Sequence, residues 1–596
     1  MRHRHAHEVT RVIEALGAAG VVQPFRRMSH TAMTSEKYGS VWRVRPRDAP
    51  SEVRGVEDCV ALVRAYIARE VTDLRAMVAR YDRAGLVVAA LGAQQAAMLE
   101  ARTWETTARA TRAIHGVERD FDFSQEQRNH IHSVLRCSSL IAEFGQVDAA
   151  LSGGLAVGRM DLDELQAKVM ALIHVADMLP ALISGQQPPL LRVSPSGDLQ
   201  SDRRFSDTTL KATAMQLHAM DRLQADRNYD RRPERPAASE PDDNGLGGAL
   251  EAEYGVPQDI LREFSMGVAH LAIAGGSDIY VGRRSRLLAD LAQDELLADA
   301  DLEPLIDRLI LPTRNGWTDL PAGLAAGDFD VSKFDRPRSL VARPILALTE
   351  GPDPLLAVGP AVVERALVHN LSGALGGDLQ NRFWSSLEMR RFASRQGARA
   401  GLEFNAEATQ AVSEQGLNSW SERTMSWCLN RKKSDEMERL GDIDVLGVSE
   451  ADNLVWVIEA KDLKLCRTLG EVARRLANYQ GRIDEKGRPD ALLKHLRRVA
   501  FLRNNAVDLG KRLGLSQPPK VCGLVIVRSP QPMSQLTGSS MMMRAWRFSI
   551  ALEKSRGEPD GRRSVLRGPP VIRTRPQGPT PESIIPVNGP SAIWRE

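Results

Sequence analysis

The chain has 596 residues, with 79 Lys and Arg against 76 Asp and Glu, a formal net charge of +3, 43% hydrophobic and 26% charged residues. That balance excludes a disordered or fibrous chain, and the length predicts three or four domains at roughly 150 residues each. Cys59, Cys137, Cys428, Cys466 and Cys522 form no C-x-x-C pair, which argues against a disulfide framework or structural zinc site and predicts a reducing, cytoplasmic setting.

In chain order, residues 1–226 read as a mostly helical N-terminal region. The first segment alternates His3, His5 and His7, which in a frayed terminus are incidental rather than metal-binding. It lacks the apolar core of a signal peptide, and no apolar run near 20 residues is evident, so no membrane span is expected. "VEDCVALVRAYIAREVTDLRAMVARYDRAG" from Val56 places apolar residues at three- and four-residue spacing, a helical period. "DLDELQAKVMALIHVADMLPALI" from Asp161 opens with acids and is expected to stop near Pro180. "SDTTLKATAMQLHAMDRLQ" from Ser206 opens on a capping signal. No catalytic constellation is visible in this region, and helix-on-helix packing accounts for it.

Residues 227–248, polar and rich in Pro and Gly, read as a disordered linker or exposed loop. Residues 249–375 read as a small α+β unit. "QDILREFSMGVAHLAI" is an amphipathic helix, and "RSLVARPILALTEGPDPLLAVGPAVVERAL" gives two short strands about a turn and then a helix. Residues 376–555 read as a C-terminal domain, and 556–596 as a Pro/Gly-rich tail. Residues 381–596 hold 36 Lys and Arg against 24 Asp and Glu, whereas 1–380 hold 43 against 52. The basic C-terminal part suits a polyanionic partner such as nucleic acid, and charge alone fits a solvated basic surface equally well.

The chemistry concentrates in "GDIDVLGVSEADNLVWVIEAKDLK", Gly441 to Lys464. Two runs rich in β-branched residues flank the turn-forming Ser449–Asp452, which predicts a β-hairpin. A turn centred between Ala451 and Asp452 sets Asp444 directly opposite Glu459, with Cβ atoms about 5 Å apart. Both carboxylates can then share one divalent cation, with the Ala460 carbonyl on its rim and Lys461 beside it. Val455, Trp456, Val457 and Ile458 leave little polar surface around Glu459. Charges held in such surroundings cluster at functional sites.

Asp444 followed by Glu459-x-Lys461 resembles the D…E-x-K signature of the PD-(D/E)XK nuclease superfamily, most closely its Mrr-type and Holliday-resolvase-like restriction endonuclease domains. The resemblance covers about residues 385–530. It implies a restriction-endonuclease-like α/β fold for residues 376–555, a mixed central sheet flanked by helices, and Mg²⁺-dependent cleavage of DNA phosphodiesters, with Mn²⁺ substituting, in defence against foreign DNA or in repair. Asp444 and Glu459 would bind the metal and Lys461 would be the catalytic lysine. Ile443 stands where the name-giving proline would be. Upstream, "GLEFNAEATQAVSEQG" matches the family's helix at Gly401, Phe404 and Gly416 but has Asn405 in place of its metal-binding glutamate. Asn405, Glu407 or Glu403 are the candidate replacements. Tyr479 and Gln480, on the helix after the lysine, are further candidates. "SERTMSWCL" and "VCGLVIV" read as strands.

The departure at Asn405 supports an alternative, a non-catalytic nucleic-acid-binding module that keeps the fold. No G-x-x-x-x-G-K-[ST] motif is present, so ATP-driven movement would need a partner. The resemblance also implies a homodimer, and the N-terminal region is free to bind a partner protein.

Overall fold

The computed structural model describes residues 11–545 apart from 116, 203, 205, 217–244, 321–324, 380, 484–486, 530 and 533–541. The expected linker, tail and histidine-rich start therefore lie wholly or almost wholly outside the described residues.

The N-terminal part is helical, as its periodicity predicts. After a short α1 (Arg11–Ala18) come α2 (Val56–Val78), α3 (Arg83–His115), α4 (Val117–Asp148) and α5 (Arg159–Ile183). Pro180 does not end α5. It sits in the last turn, and Ser184 N–H donates to its carbonyl at 3.0 Å. A proline so near the end disturbs only the final turn of backbone bonding. Arg83–Thr107 and Arg159–Ile183 are long and apolar enough to cross a membrane, which corrects the expectation that no apolar run approaches that length. For the second, 72% of the apolar window is buried inside the protein. A small antiparallel sheet, β1 (Glu52–Arg54), β2 (Leu190–Val193) and β3 (Leu199–Ser201), closes this end.

The middle part holds α6 (Gln258–Ala274) and a four-stranded sheet. Its strands are β4 (Tyr280–Arg283), β5 (Ile310–Leu311), β6 (Ile345–Ala347) and β7 (Leu355–Val358), in the order β4-β7-β6-β5. Helix α7 (Pro360–Gly376) follows. The two short strands and helix read from the sequence are β6, β7 and α7. The core is shared with the helical part: Leu86, Ile141, Phe144 and Leu172 pack with Leu346, Ala357 and Val362.

Helix α8 (Leu387–Glu414) runs about 42 Å. It starts where Ser386 Oγ accepts from Met389 N at 3.1 Å. Its first turns bury Met389, Phe392 and Ala393 in the middle core. Its last turns lay Phe404, Ala408 and Val412 on the C-terminal sheet, against Val445, Ile458 and Ile526. A close backbone approach fixes its angle. Gly377, at φ +64°, lies so near Gly397 of α8 that a Cβ there would stand 2.3 Å from the Gly397 Cα, and only glycine fits.

The C-terminal sheet has the order β12-β11-β10-β9-β8. Its strands are β8 (Asn418–Arg423), β9 (Ile443–Ser449), β10 (Leu454–Lys461), β11 (Lys520–Val527) and β12 (Met542–Ala545). The first three pair antiparallel, and β10, β11 and β12 pair parallel. The parallel crossover from β10 to β11 runs through α9 (Leu469–Ala477) and α10 (Ala491–Asn504). The mixed α/β expectation holds. Only the start of "SERTMSWCL" is strand, because Thr424 Oγ1 accepts from Trp427 N at 3.1 Å and caps a short helix there.

Candidate active site

The hairpin register is the one its turn chemistry predicts. Leu454 pairs with Ser449, and the ladder runs to Ile458 opposite Val445. One step further sets Glu459 beside Asp444. There the strands part: the Ala460 N–H donates to Asp444 Oδ2 at 2.9 Å instead of to the neighbouring backbone. A strand residue's carbonyl lies on the same edge as its N–H, so the Ala460 carbonyl also faces the Asp444 side.

Lys461 Nζ lies 3.1 Å from Asp444 Oδ2 and 3.0 Å from Glu459 Oε1. It thus bridges the two carboxylates. Glu459 is nearly buried, 7% exposed in its side chain, and its other oxygen, Oε2, is held by Arg498 of α10. Arg498 is itself fixed by Nε donating to the Leu440 carbonyl at 2.6 Å. The Asp444 carboxyl is raised above its ordinary range by burial and by the Glu459 charge, with Lys461 pulling the other way. Burial works to lower the Lys461 ammonium, but Glu459 and Asp444 outweigh it and the pKa is raised, so the lysine stays charged. Buried His495 stands 3.7 Å from Glu459 Oε2. Burial, and then Arg498, hold it down at about 4, so it is neutral near pH 7.

Helix geometry settles which upstream residue approaches this cluster. Gly397, Gly401 and Asn405 recur every fourth residue and share one face. All three line a cavity of about 660 Å³ together with Asp444, Ala460 and Lys461. Glu403 pairs instead with Arg399 at 2.7 Å and Glu407 with Arg528 at 3.3 Å. Asn405 Nδ2 donates to Glu422 Oε1 at 3.3 Å. Among the described residues no three His, Cys, Asp or Glu side chains gather as metal ligands. The available set is Asp444, Glu459 and the Ala460 carbonyl, hard oxygens suited to Mg²⁺, which usually takes one or two protein carboxylates.

Glu459 and Lys461 also face a second, larger cavity of about 1700 Å³ between the C-terminal part and helices α2 and α5. Eight Arg and Lys side chains line it against three carboxylates, so the surplus is cationic. Arg482 and Lys494, both exposed, stand on its wall. Tyr479 and Gln480 line it too. Gln480 Nε2, however, is spent on the Ser184 carbonyl of the helical part, away from the carboxylates.

Arg498, His495 and the cavity arginines escape a reading of the sequence. Only the burial of Glu459 signals that a counter-charge must exist, and nothing in "ALLKHLRRVAFLRN" singles out which cation supplies it.

A family model described as "Upx-like: Anti-phage protein Upx-like" matches residues 28–540. No curated protein and no solved structure matches the chain.

Proposed function

The chain belongs to the Upx-like family of anti-phage proteins, and on that premise we propose that it is a Mg²⁺-dependent deoxyribonuclease acting against invading phage DNA. The observation that carries this reading is the Lys461 ammonium within hydrogen-bond distance of two carboxylates on adjacent strands, at the wall of a cationic cavity. Hydrolysing a phosphodiester requires charge neutralisation at the scissile phosphate and an activated water. A bound Mg²⁺ supplies both, by polarising phosphoryl oxygens and lowering the pKa of its water.

The chain's own residues do the rest. Asp444, held by the Ala460 N–H, and Glu459, held by Arg498, present the metal-binding oxygens in fixed positions. Lys461 orients the attacking water and offsets charge developing on the phosphate. The cavity cations take the neighbouring backbone phosphates. An antiparallel β8-β9-β10 half continued by a parallel β10-β11-β12 half, and the helix–strand–strand–strand–helix–strand order, support the reading of a restriction-endonuclease-like domain. The deciding experiment incubates the purified chain with plasmid, linear and branched DNA, and with RNA, in Mg²⁺, Mn²⁺ or EDTA. Metal-dependent DNA cleavage is expected. DNA binding with no cleavage in either metal would identify the non-catalytic module instead.

Metal binding gives a separate test. Asp444→Ala and Glu459→Ala should each weaken Mn²⁺ binding by roughly 100-fold or more, because each removes one of only two carboxylates. Asn405→Glu, on the cavity face of α8, should strengthen Mg²⁺ binding, whereas Glu407→Gln should change little. Calorimetric titration reads all four. Loss of metal binding in Glu407→Gln with none in Asp444→Ala would reverse the assignment.

DNA affinity should fall steeply with salt. The double variant Arg482→Ala/Lys494→Ala should bind all DNA sequences more weakly and reduce the slope of log K against log salt by roughly two. Fluorescence anisotropy across a salt series measures this, and an unchanged slope would place the DNA path elsewhere.

A further inference from the structure

The cavity of about 1700 Å³ that Glu459 and Lys461 face has walls of different chemistry. Seven of its eight cations, all but Arg75, belong to the C-terminal part. Arg474 and Arg498 are tied to Asp330 and Glu459, while Arg482 and Lys494 stand exposed. The opposite wall comes from α2 and α5. Ile67 and Val71 on the first, and Leu179 and Ile183 on the second, line it at four-residue spacing, so each helix turns an apolar stripe toward the cavity. These stripes are not covered. Ile67, Val71 and Leu179 are half-buried, and Ile183 is 52% exposed. Leu320, 45% exposed, and Ile483, 54% exposed, add to the apolar lining. Ile483 follows Arg482 directly in the loop between α9 and α10.

The volume exceeds the roughly 300–1,000 Å³ of small-molecule sites, which points to a polymeric ligand. Clustered exposed apolar side chains mark a binding surface, and here they face cations. The ligand must therefore carry both phosphates and apolar faces. Duplex DNA does not present both, because its bases are stacked inside and it offers phosphates, sugars and groove edges. An unpaired strand leaves the faces of its bases open beside its phosphates. Apolar as well as aromatic side chains hold bases taken out of the stack. Lys461 also lines the cavity of about 660 Å³ on the Asp444 side, so a flexible strand has room on either side of a phosphate held at the lysine.

We propose that the substrate of the candidate active site is an unpaired DNA strand, its phosphates on Arg482 and Lys494 and its bases against Ile183, Leu320 and Ile483. The cutting of that strand rests on the nuclease reading, whereas its binding does not. Negatively supercoiled plasmid, which opens locally, remains a substrate.

The test follows fluorescence anisotropy of a labelled oligothymidylate and of a blunt duplex of equal length, each titrated with the full chain in EDTA, so that metal is withheld. The single strand should bind at least tenfold more tightly than the duplex at equal salt, on the order of one base contact. Ile183→Ser/Leu320→Ser should weaken the single strand by roughly tenfold or more and leave the duplex nearly unchanged. Ile483→Ser, in the loop rather than beside the helices, serves if that pair fails to fold, which the melting temperature reports. In Mg²⁺ a single-stranded circle should be cut faster than a relaxed duplex circle. Cleavage of both circles at one rate would overturn this inference and keep the nuclease reading. Preferential single-strand binding with no cleavage of either would do the reverse. Equal affinity for strand and duplex would also overturn the proposal, as would single-strand affinity indifferent to the substitutions. So would a dimer in light scattering that Ile183→Ser/Leu320→Ser dissociates, because the apolar wall would then belong to a second copy of the chain.

Discussion

Replacing Lys461 by alanine is expected to lower the rate of DNA cleavage by roughly 10²- to 10³-fold, with DNA affinity and melting temperature close to wild type. The ammonium sits 3.0–3.1 Å from both carboxylates, where the proposed mechanism brings the reacting phosphate. In the proposed mechanism it acts on charge that appears only as the phosphoryl bond breaks, so its loss is expected to fall on kcat rather than KM. The cluster should keep its shape. Glu459 remains tied to Arg498, and Asp444 to the Ala460 N–H. The two carboxylates lose a shared positive neighbour, so Asp444 should take up a proton more readily in the metal-free variant. Single-turnover cleavage of plasmid with anisotropy on the same DNA separates the outcomes. Wild-type rates in Lys461→Ala would remove the lysine from the mechanism. Equal loss of binding and cleavage would make it a phosphate anchor instead.

The hairpin that carries these residues was legible because every determinant of it is local. β-branched runs, a polar four-residue turn and period-two alternation fix the register within 20 residues, and Asp444 falls beside Glu459 as the turn requires. The strand at Lys520–Val527 and the pair β6 and β7 were legible for the same reason. For Asn405 the sequence alone allows two orientations. Helical spacing groups it with Gly397 and Gly401, but which face meets the sheet depends on Phe404, Ala408 and Val412 packing onto strands up to about 120 residues away. Thr424 shows the opposite failure, where one capping hydroxyl converted an apolar strand-like run into a helix. The cavities were beyond reach. Arg75, Arg482 and Arg498 lie on different segments, and only tertiary packing gives them a common wall.

Arg336→Ala should be the most destabilising single change outside the site, at about 3–5 kcal/mol. Arg336 and Glu143 are 4% and 3% exposed in their side chains. They meet through two bonds, Nη1 to Oε2 at 2.7 Å and Nη2 to Oε1 at 3.1 Å. Glu143 Oε1 also accepts from Leu340 N at 3.0 Å. The pair thereby ties α4 to the segment leading into β6. Removing the guanidinium leaves a buried carboxylate without its counter-charge, and that unpaired charge, more than the lost attraction, sets the cost. Arg336→Met/Glu143→Leu removes both charges and fills the volume, so it should recover most of the loss. It should stay below wild type by about 1–3 kcal/mol, because the Leu340 N–H loses its acceptor. Trp317, stacked on Phe144 at 3.8 Å, provides a fluorescence probe beside the pair. Urea titrations of Arg336→Met, Glu143→Leu and the double variant complete a mutant cycle. A single variant with an unchanged midpoint would mean that the pair holds nothing together. A double variant as unstable as the singles would assign the cost to packing and the Leu340 contact rather than to the stranded charge.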